Sequence, residues 1–152
     1  MKIVNKKFHH DYEKIESLEA GIVLTGGEVK SIRERRLRLE DSYVKFLDDG
    51  AYLINAEIPP YRFSQNQNYD PKRSRKLLLN KKEIIRLKTK LKSAKSLTVL
   101  PVSCYNKGNL LKLEIALARG RKEIEKRKLE KRRETEREKE KELKEWMKTE
   151  KY

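Results

Sequence analysis

The feature that most constrains the fold of this 152-residue chain is an abrupt change in composition near residue 119. Residues 119 to 152 hold 15 basic and 10 acidic side chains. Their few large apolar residues are Ile124, Leu129, Leu143, Trp146 and Met147. A helix built from this segment would be polar on all sides and could not bury an apolar stripe. The hydrophobic core must therefore come from residues 1 to 118, which is enough chain for one small domain.

The charged tail predicts a helix that depends on a partner. No heptad repeat is sustained along it, which argues against a coiled coil. Glu, Lys and Arg favour helices, and pairs such as Glu123 with Arg127 each add about 0.2 to 0.5 kcal/mol. We expect the tail to be unstable as a helix in free solution and to become helical when a surface supplies counter-charge. A merely solubilising extension is the alternative, although such a tail needs no Trp146.

The overall charge indicates a polyanionic partner. The chain has 39 Lys and Arg against 24 Asp and Glu, a net charge of +15. Residues 72–95 contain eleven basic side chains and one acidic one, and residues 119–133 contain nine and three. Solvated surfaces usually mix the two signs, and the first of these segments does not. Nucleic acid is therefore the first candidate partner.

Two segments predict short helices next to strands. In residues 12–24 the apolar side chains are separated by polar ones, and the segment ends in AGIVL, which is rich in β-branched residues. This pattern predicts a strand. Thr25 and Glu28 follow with the spacing of a capping box, which predicts a short helix. Asn80 is a candidate cap for a second helix with a basic outer side. Its apolar stripe would consist of Ile84, Leu87 and Leu91.

Two further segments predict β-hairpins. SYVKFL and AYLINAEI flank the turn DDG, and SLTVLPVSCY and LLKLEIALAR flank the turn NKGN. In the first hairpin the alternating apolar positions are Tyr43, Val44 or Phe46, Tyr52, Ile54, Ala56 and Ile58. In the second they are Leu111, Leu113, Ile115 and Leu117. Between the hairpins, residues 61–74 are polar, aromatic and turn-prone, which predicts a long surface loop.

Together these elements predict a mainly β fold with five strands and two short helices. The architecture that fits is an antiparallel, oligonucleotide-binding-like β-barrel. We expect the barrel domain to span residues 1–118 and a basic C-terminal tail to span residues 119–152.

The motifs of most catalytic sites are missing from the sequence. It has no phosphate-binding glycine loop, nucleophile elbow or zinc-ligand spacing, and its two histidines, His9 and His10, are adjacent. We expect no enzymatic activity, catalytic residue, metal or cofactor, and we expect Cys104 to be a core residue. The apolar runs are too short to cross a bilayer, and the N-terminus lacks a signal-peptide core. A soluble, cytoplasmic monomer without a membrane partner is the expectation.

The order of several motifs resembles the small protein B family, which binds transfer-messenger RNA (tmRNA) in bacterial ribosome rescue. The motifs are NKKFHHDY, LEAGIVLTGGEVKSIR, DSYVKF, AYLINAEIPPY, YDPKRSRKLLLNKKEI and IALARGRKEIEKR. The resemblance covers nearly the whole chain. It implies an oligonucleotide-binding-like barrel that binds the elbow of the tRNA-like domain of tmRNA. Such a target requires cations for phosphates and polar or stacking groups for exposed bases.

The resemblance also implies which residues face RNA. Matched onto this chain, they are Asn5, His10, Glu19, Lys30, Arg73, Arg75, Lys76, Leu77 and Lys81. Asn5 and Glu19 would contact base edges, and the basic residues would contact phosphates. Without the resemblance, Glu19 could be a structural strand residue and Leu77 a core residue.

For the tail, the resemblance implies a helix in the empty mRNA path beyond the decoding centre of the small ribosomal subunit. The residues expected to meet ribosomal RNA are Lys122, Lys126, Arg127, Lys131, Arg132 and Arg133. Two positions depart from the family pattern: Glu125 replaces the usual Asp before the KR pair, and His9 replaces a frequent Arg. The main alternative is a ribosomal protein whose basic extension is threaded through ribosomal RNA. An RNA-processing enzyme is a further alternative, which the missing catalytic motifs disfavour.

Overall fold

The computed structural model describes residues 1–65 and 67–150. Within them the chain forms seven strands and four helices. The strands are β1 (Lys2–Val4), β2 (Tyr12–Ile22), β3 (Tyr43–Leu47), β4 (Gly50–Ile54), β5 (Arg75–Leu78), β6 (Leu97–Lys107) and β7 (Leu110–Gly120). The helices are α1 (Lys6–Asp11), α2 (Gly26–Arg33), α3 (Lys81–Ser93) and α4 (Glu123–Thr149). The structure comprises two compact units, Met1–Gly120 and a second that begins at Arg121.

All seven strands belong to one antiparallel sheet with the order β1-β6-β7-β2-β5-β4-β3. Strands β3 and β6 are not joined by a hydrogen-bonded ladder, but the sheet curls enough to bring them close together. Bulges in β2, between Lys14 and Glu16, and in β6, between Pro101 and Ser103, accompany this curvature. The expected mainly β fold with short helices is confirmed.

The domain buries apolar side chains on both sides of its long β6–β7 hairpin. The larger cluster fills the inside of the curled sheet and includes Leu113, Ile115 and Leu117 from β7, with Leu87 from α3. A smaller cluster lies under α1, where Phe8 packs on residues Leu100, Val102, Ala116 and Ala118. Burial on both faces explains why residues 99–102, VLPV, are continuously apolar. Cys104 is buried in the larger cluster, as expected.

Most of the elements that the sequence predicts are present. The strand at residues 12–24 corresponds to β2, and the two hairpins correspond to β3–β4 and β6–β7. Thr25 and Glu28 form the capping box at the start of α2. Asn80 precedes α3, although its side chain makes no capping hydrogen bond and donates instead to Glu83.

Two of the predictions were wrong. The count of five strands and two helices omitted β1, α1 and β5, which are only three, six and four residues long and show little periodicity. The inward register of β4 was also assigned to the wrong residues, because Ala51 and Leu53 are buried whereas Tyr52 and Ile54 are half-exposed. Strand β4 ends at Ile54, since Asn55 adopts a φ of 65°. The predicted loop at 61–74 has no helix or strand among its described residues, and Asn66 lies outside them.

The second unit contains the 27-residue helix α4. None of its residues, all of which the structure describes, is buried. The expected pair is present: Arg127 lies 3.8 Å from Glu123 and both side chains are exposed.

Candidate nucleic-acid interface

The densest charged network in the domain surrounds Glu28 at the start of α2. Its carboxylate is 1% exposed and accepts hydrogen bonds from the Arg73 and Arg75 guanidinium groups. It also accepts one from the Thr25 amide at 3.0 Å and one from the Tyr69 hydroxyl at 3.3 Å. The network thus joins the capped helix to the loop at 61–74 and to β5.

The charge of Glu28 is maintained despite its burial. Desolvation by itself would raise the pKa of this carboxyl. Hydrogen bonds from Arg73, the Thr25 amide and Arg75 outweigh that effect and lower its pKa to about 2. Glu28 is therefore ionised at neutral pH and compensates the cationic side chains gathered around it.

Arg75 is fully buried at the centre of this network and its side chain is used internally. Its guanidinium donates to Glu28 and, at 2.8 to 3.0 Å, to the carbonyl oxygens of Ala56, Pro71 and Arg73 and the Tyr69 hydroxyl. A planar group with five donors can bind several loop carbonyls at once, which lysine cannot do. Arg75 therefore fixes the loop that carries Arg73.

A small cavity of about 190 Å³ adjoins this network on its outer side. Aromatic and proline side chains, namely Tyr61, Tyr69, Pro59 and Pro60, form much of its wall. The Lys30 ammonium lies 5.3 Å from the centre of the Tyr61 ring, within the range of a cation–π contact. Lys30 and Tyr61 thus place a cation beside a half-exposed aromatic ring, which suits both the phosphates and the unstacked bases of an RNA.

Glu19 lies elsewhere, on the exposed face of β2. Its carboxylate accepts hydrogen bonds from the Tyr105 hydroxyl and, at 3.0 Å, from Lys107. These two contacts lower the pKa of Glu19. The hydrogen bond between Tyr105 and Glu19 also raises the pKa of Tyr105 to about 12. A carboxylate fixed in this way on an exposed strand can accept hydrogen bonds from the edge of a guanine base.

The remaining candidates from the domain fall into two groups. Asn5 and Leu77 are buried: Asn5 caps α1, accepting from the Phe8 amide at 3.1 Å and donating to Pro101 at 2.9 Å, and Leu77 belongs to the core. Lys76 and Lys81 are exposed and line one depression of about 350 Å³ between β5 and α3. The half-exposed His10 contacts the Asp11 carboxylate at 2.6 Å.

The structure therefore distributes the nine candidates over several places. Arg73 and Arg75 converge on Glu28, and Lys30 contacts the Tyr61 ring. Lys76, Leu77 and Lys81 line one depression, whereas Asn5, His10 and Glu19 make separate contacts. The sequence signals did not identify Tyr61, Tyr69, Tyr105 and Lys107 as neighbours of these residues. The aromatic residues of the loop at 61–74 were visible in the sequence, but their partners depend on the fold.

The basic residues selected in the tail do not form one face. Lys122 is the N-cap residue of α4, and the others lie within its first three turns: Lys126, Arg127, Lys131, Arg132 and Arg133. At about 3.6 residues per turn, positions 126, 131 and 132 point in different directions around the helix. Such a helix offers cations all round, which suits a partner that encloses it.

Two kinds of site are absent from the described residues. No group of three or more His, Cys, Asp or Glu side chains there could hold a metal ion. None of the helices that the structure describes has the length and apolarity to cross a membrane.

A curved antiparallel sheet with clustered exposed cations, followed by a highly charged helix, is typical of small nucleic-acid-binding proteins. A family model described as "SmpB protein" matches residues 2–145. This chain belongs to the SmpB protein family.

Curated relatives and a solved structure agree with that assignment. An SsrA-binding protein of Malacoplasma penetrans is 49% identical over 125 residues, covering 82% of this chain and 85% of the relative. One from Sulfurihydrogenibium sp. is 51% identical over 123 residues, covering 81% of this chain and 80% of the relative. A chain from a structure described as "tmRNA-SmpB: a journey to the center of the bacterial ribosome" is 42% identical, with a TM-score of 0.67. That match covers 80% of this chain and 85% of the other.

Proposed function

We propose that this protein binds tmRNA, also called SsrA RNA, and brings it to stalled ribosomes for trans-translation. The observation that carries the proposal is the family match over residues 2–145, together with relatives named SsrA-binding proteins. The similar solved structure, which is described as tmRNA-SmpB and names the bacterial ribosome, supports both partners. The protein acts by binding rather than by catalysis, and it acts in the cytoplasm as a monomer.

The domain is the part that binds tmRNA. Lys30, Arg73, Lys76 and Lys81 contact phosphates, and Glu19 contacts a base edge. The family resemblance placed Asn5, Arg75 and Leu77 in the same RNA-facing set. Because all three are buried, we assign them a supporting role. They hold α1, the loop at 61–74 and β5 in the positions from which the exposed residues reach the RNA.

The tail is the part that meets the ribosome. Its helix α4 lies in the empty mRNA path beyond the decoding centre, where ribosomal RNA surrounds it. The cations that encircle its first turns, from Lys122 to Arg133, contact that RNA. Exposed pairs of opposite charge stabilise a lone helix only weakly and pairs of like charge destabilise it, so the path itself supplies much of the ordering.

The division of labour is tested by deleting residues 121–152. The truncated domain should bind isolated tmRNA within about threefold of the full chain, because the phosphate contacts that supply affinity remain. The same variant should fail to support tagging of stalled peptides in a reconstituted translation system. Equal loss of RNA affinity and tagging would contradict the division.

The electrostatic part of the proposal is tested by the salt dependence of binding. With six to eight phosphates contacted, log affinity should fall against log salt by about 0.7 to 0.9 per phosphate. A flat response would contradict phosphate recognition by the basic groups. Washing ribosomes with high salt separates this function from that of an integral ribosomal protein, which would remain bound in stoichiometric amount.

A further inference from the structure

Helix α3 carries a row of lysines, and only Lys81 is among the RNA-binding residues proposed above. Between residues 81 and 95 there are seven basic side chains and one acidic one. Steps of three and four residues place several of them on one stripe of the helix, one turn apart. The stripe consists of Lys81, Ile85, Lys88, Lys92 and Lys95, of which the last follows the end of α3.

Two other basic residues of α3 are already neutralised. Arg86 contacts the Glu16 carboxylate at 2.5 Å and Lys90 contacts the same carboxylate, so both cations face β2. By contrast, among the residues that the structure describes, no carboxylate lies within ion-pair distance of Lys88 or Lys92. The Lys88 ammonium donates to the Leu47 carbonyl at 3.4 Å.

The stripe borders a groove between α3 and β3. This depression of about 440 Å³ has Lys88 and Lys92 on one side and Lys45 of β3 on the other. Its floor is apolar and consists of Val44, Phe46 and Leu91. Three like charges around one groove repel each other, and this arrangement favours an anion between them.

The groove is continuous with a surface already assigned to RNA. Lys81 begins the stripe and also lines the neighbouring depression with Lys76. Lys88 lies about two turns beyond Lys81 on α3, so the groove follows the depression along the same helix.

We infer that the groove between α3 and β3 binds the phosphate backbone of tmRNA, and extends the surface of Lys76 and Lys81 along α3. The inference rests on the proposed function and adds Lys45, Lys88 and Lys92 to the RNA-binding residues. The spacing of one turn, about 5.4 Å, is comparable to the separation of successive phosphates along an RNA strand. The contacts are with phosphates, so they contribute affinity and orientation without reading sequence.

The chemistry of the groove favours RNA over an acidic protein. Lysine is depleted at the centres of protein interfaces, where aromatic and arginine anchors supply most of the energy. The groove presents flexible ammonium groups, and its apolar floor lies beneath them, with Val44 buried and Phe46 and Leu91 half-buried.

The test uses the full chain with Lys45→Gln, Lys88→Gln and Lys92→Gln combined. The matched control, Lys139→Gln, Lys141→Gln and Lys144→Gln, makes the same change in charge on α4. Affinity for transcribed tmRNA is measured from low to high salt. The groove variant should lower the slope of log affinity against log salt by about 2 to 3, and affinity at physiological salt by roughly tenfold or more. The control should change neither.

A second variant, Lys45→Gln with Lys92→Gln, keeps Lys88 and its hydrogen bond, and circular dichroism checks that both variants are folded. It should lower the slope by about 1 to 2. Hydroxyl-radical footprinting should show a stretch of tmRNA that is protected by the wild type and the control but exposed in the groove variants.

The outcomes separate this inference from the proposed function. If the wild type binds tmRNA and the groove variants keep its slope and footprint, the inference is wrong and the proposed function stands. If the groove variants bind tmRNA normally but lose affinity for ribosomes, the groove belongs to ribosomal RNA and the inference is again overturned. Failure of the wild type to bind tmRNA would contradict the proposed function itself.

Discussion

Replacing Glu28 by glutamine should destabilise the domain strongly, because it leaves the Arg75 charge buried without its counter-ion. Glu28 is 1% exposed and Arg75 is fully buried, so water cannot solvate the Arg75 charge in place of the carboxylate. The amide nitrogen of glutamine is a donor and would face donors from Arg73, Arg75 or Thr25. Breaking a buried pair in this way costs about 3 to 5 kcal/mol. That is a large share of the free energy of unfolding of a typical domain, which is roughly 5 to 15 kcal/mol.

Urea denaturation followed by circular dichroism measures this loss. For a typical urea m-value, the midpoint of Glu28→Gln should fall by about 1 M or more with little change in m. The matched control is Glu16→Gln, whose partners Arg86 and Lys90 are half-exposed. That change should cost about 1 kcal/mol or less. A loss for Glu28→Gln no greater than that of the control would show that Arg75 does not depend on the Glu28 charge.

The pH dependence of stability provides a second check on Glu28. Its pKa is lowered from an ordinary value of 4.5 to about 2 on folding. A carboxyl with a lowered pKa stabilises the folded state fully above the unfolded pKa, and this contribution is lost as the pH falls toward the folded pKa. A shift of this size corresponds to about 3 kcal/mol. The difference in stability between the wild type and Glu28→Gln should therefore shrink between pH 5 and pH 2.5, and a constant difference would contradict the assignment.

Three smaller predictions concern single residues. Burial raises the pKa of the Cys104 thiol to about 11, so a thiol reagent at pH 8 should react slowly with the native protein and quickly with the denatured one. Glu19→Gln should reduce discrimination between tmRNA and a competitor RNA by about 1 to 3 kcal/mol while leaving the salt slope unchanged, which competition binding measures. Glu123→Gln should lower the helix content of the full chain only slightly by circular dichroism, because its exposed pair with Arg127 contributes about 0.2 to 0.5 kcal/mol.

The sequence predicted the long elements well because each carries a strong local signal. The alternation of Leu111, Leu113, Ile115 and Leu117 identified β7 and its buried face, and all four are buried. The capping box of Thr25 and Glu28 depends on residues three positions apart and was visible for the same reason. The register of β4 could not be derived in this way. Tyr52, Leu53 and Ile54 are three consecutive large side chains with a substantial apolar surface, and only pairing with Val44 decides which face turns inward.

The candidate site was harder to predict, because its contacts join distant parts of the chain. Residue type and the family resemblance identified Arg73 and Arg75 as cations for RNA. Their common partner Glu28 lies more than forty residues away, and it makes Arg75 an internal support for the loop. The role of Glu16 in neutralising one side of α3 also depends on long-range packing. A pattern of charges along the chain does not reveal which cations are already paired.

The most direct test of the account is to sequence the RNA that copurifies with the full-length protein from a bacterial lysate. Transfer-messenger RNA should be strongly enriched over transfer RNA and ribosomal RNA, and Glu19→Gln should reduce this enrichment. Recovery of ribosomal RNA alone, in stoichiometric amount, or of no small stable RNA would contradict it.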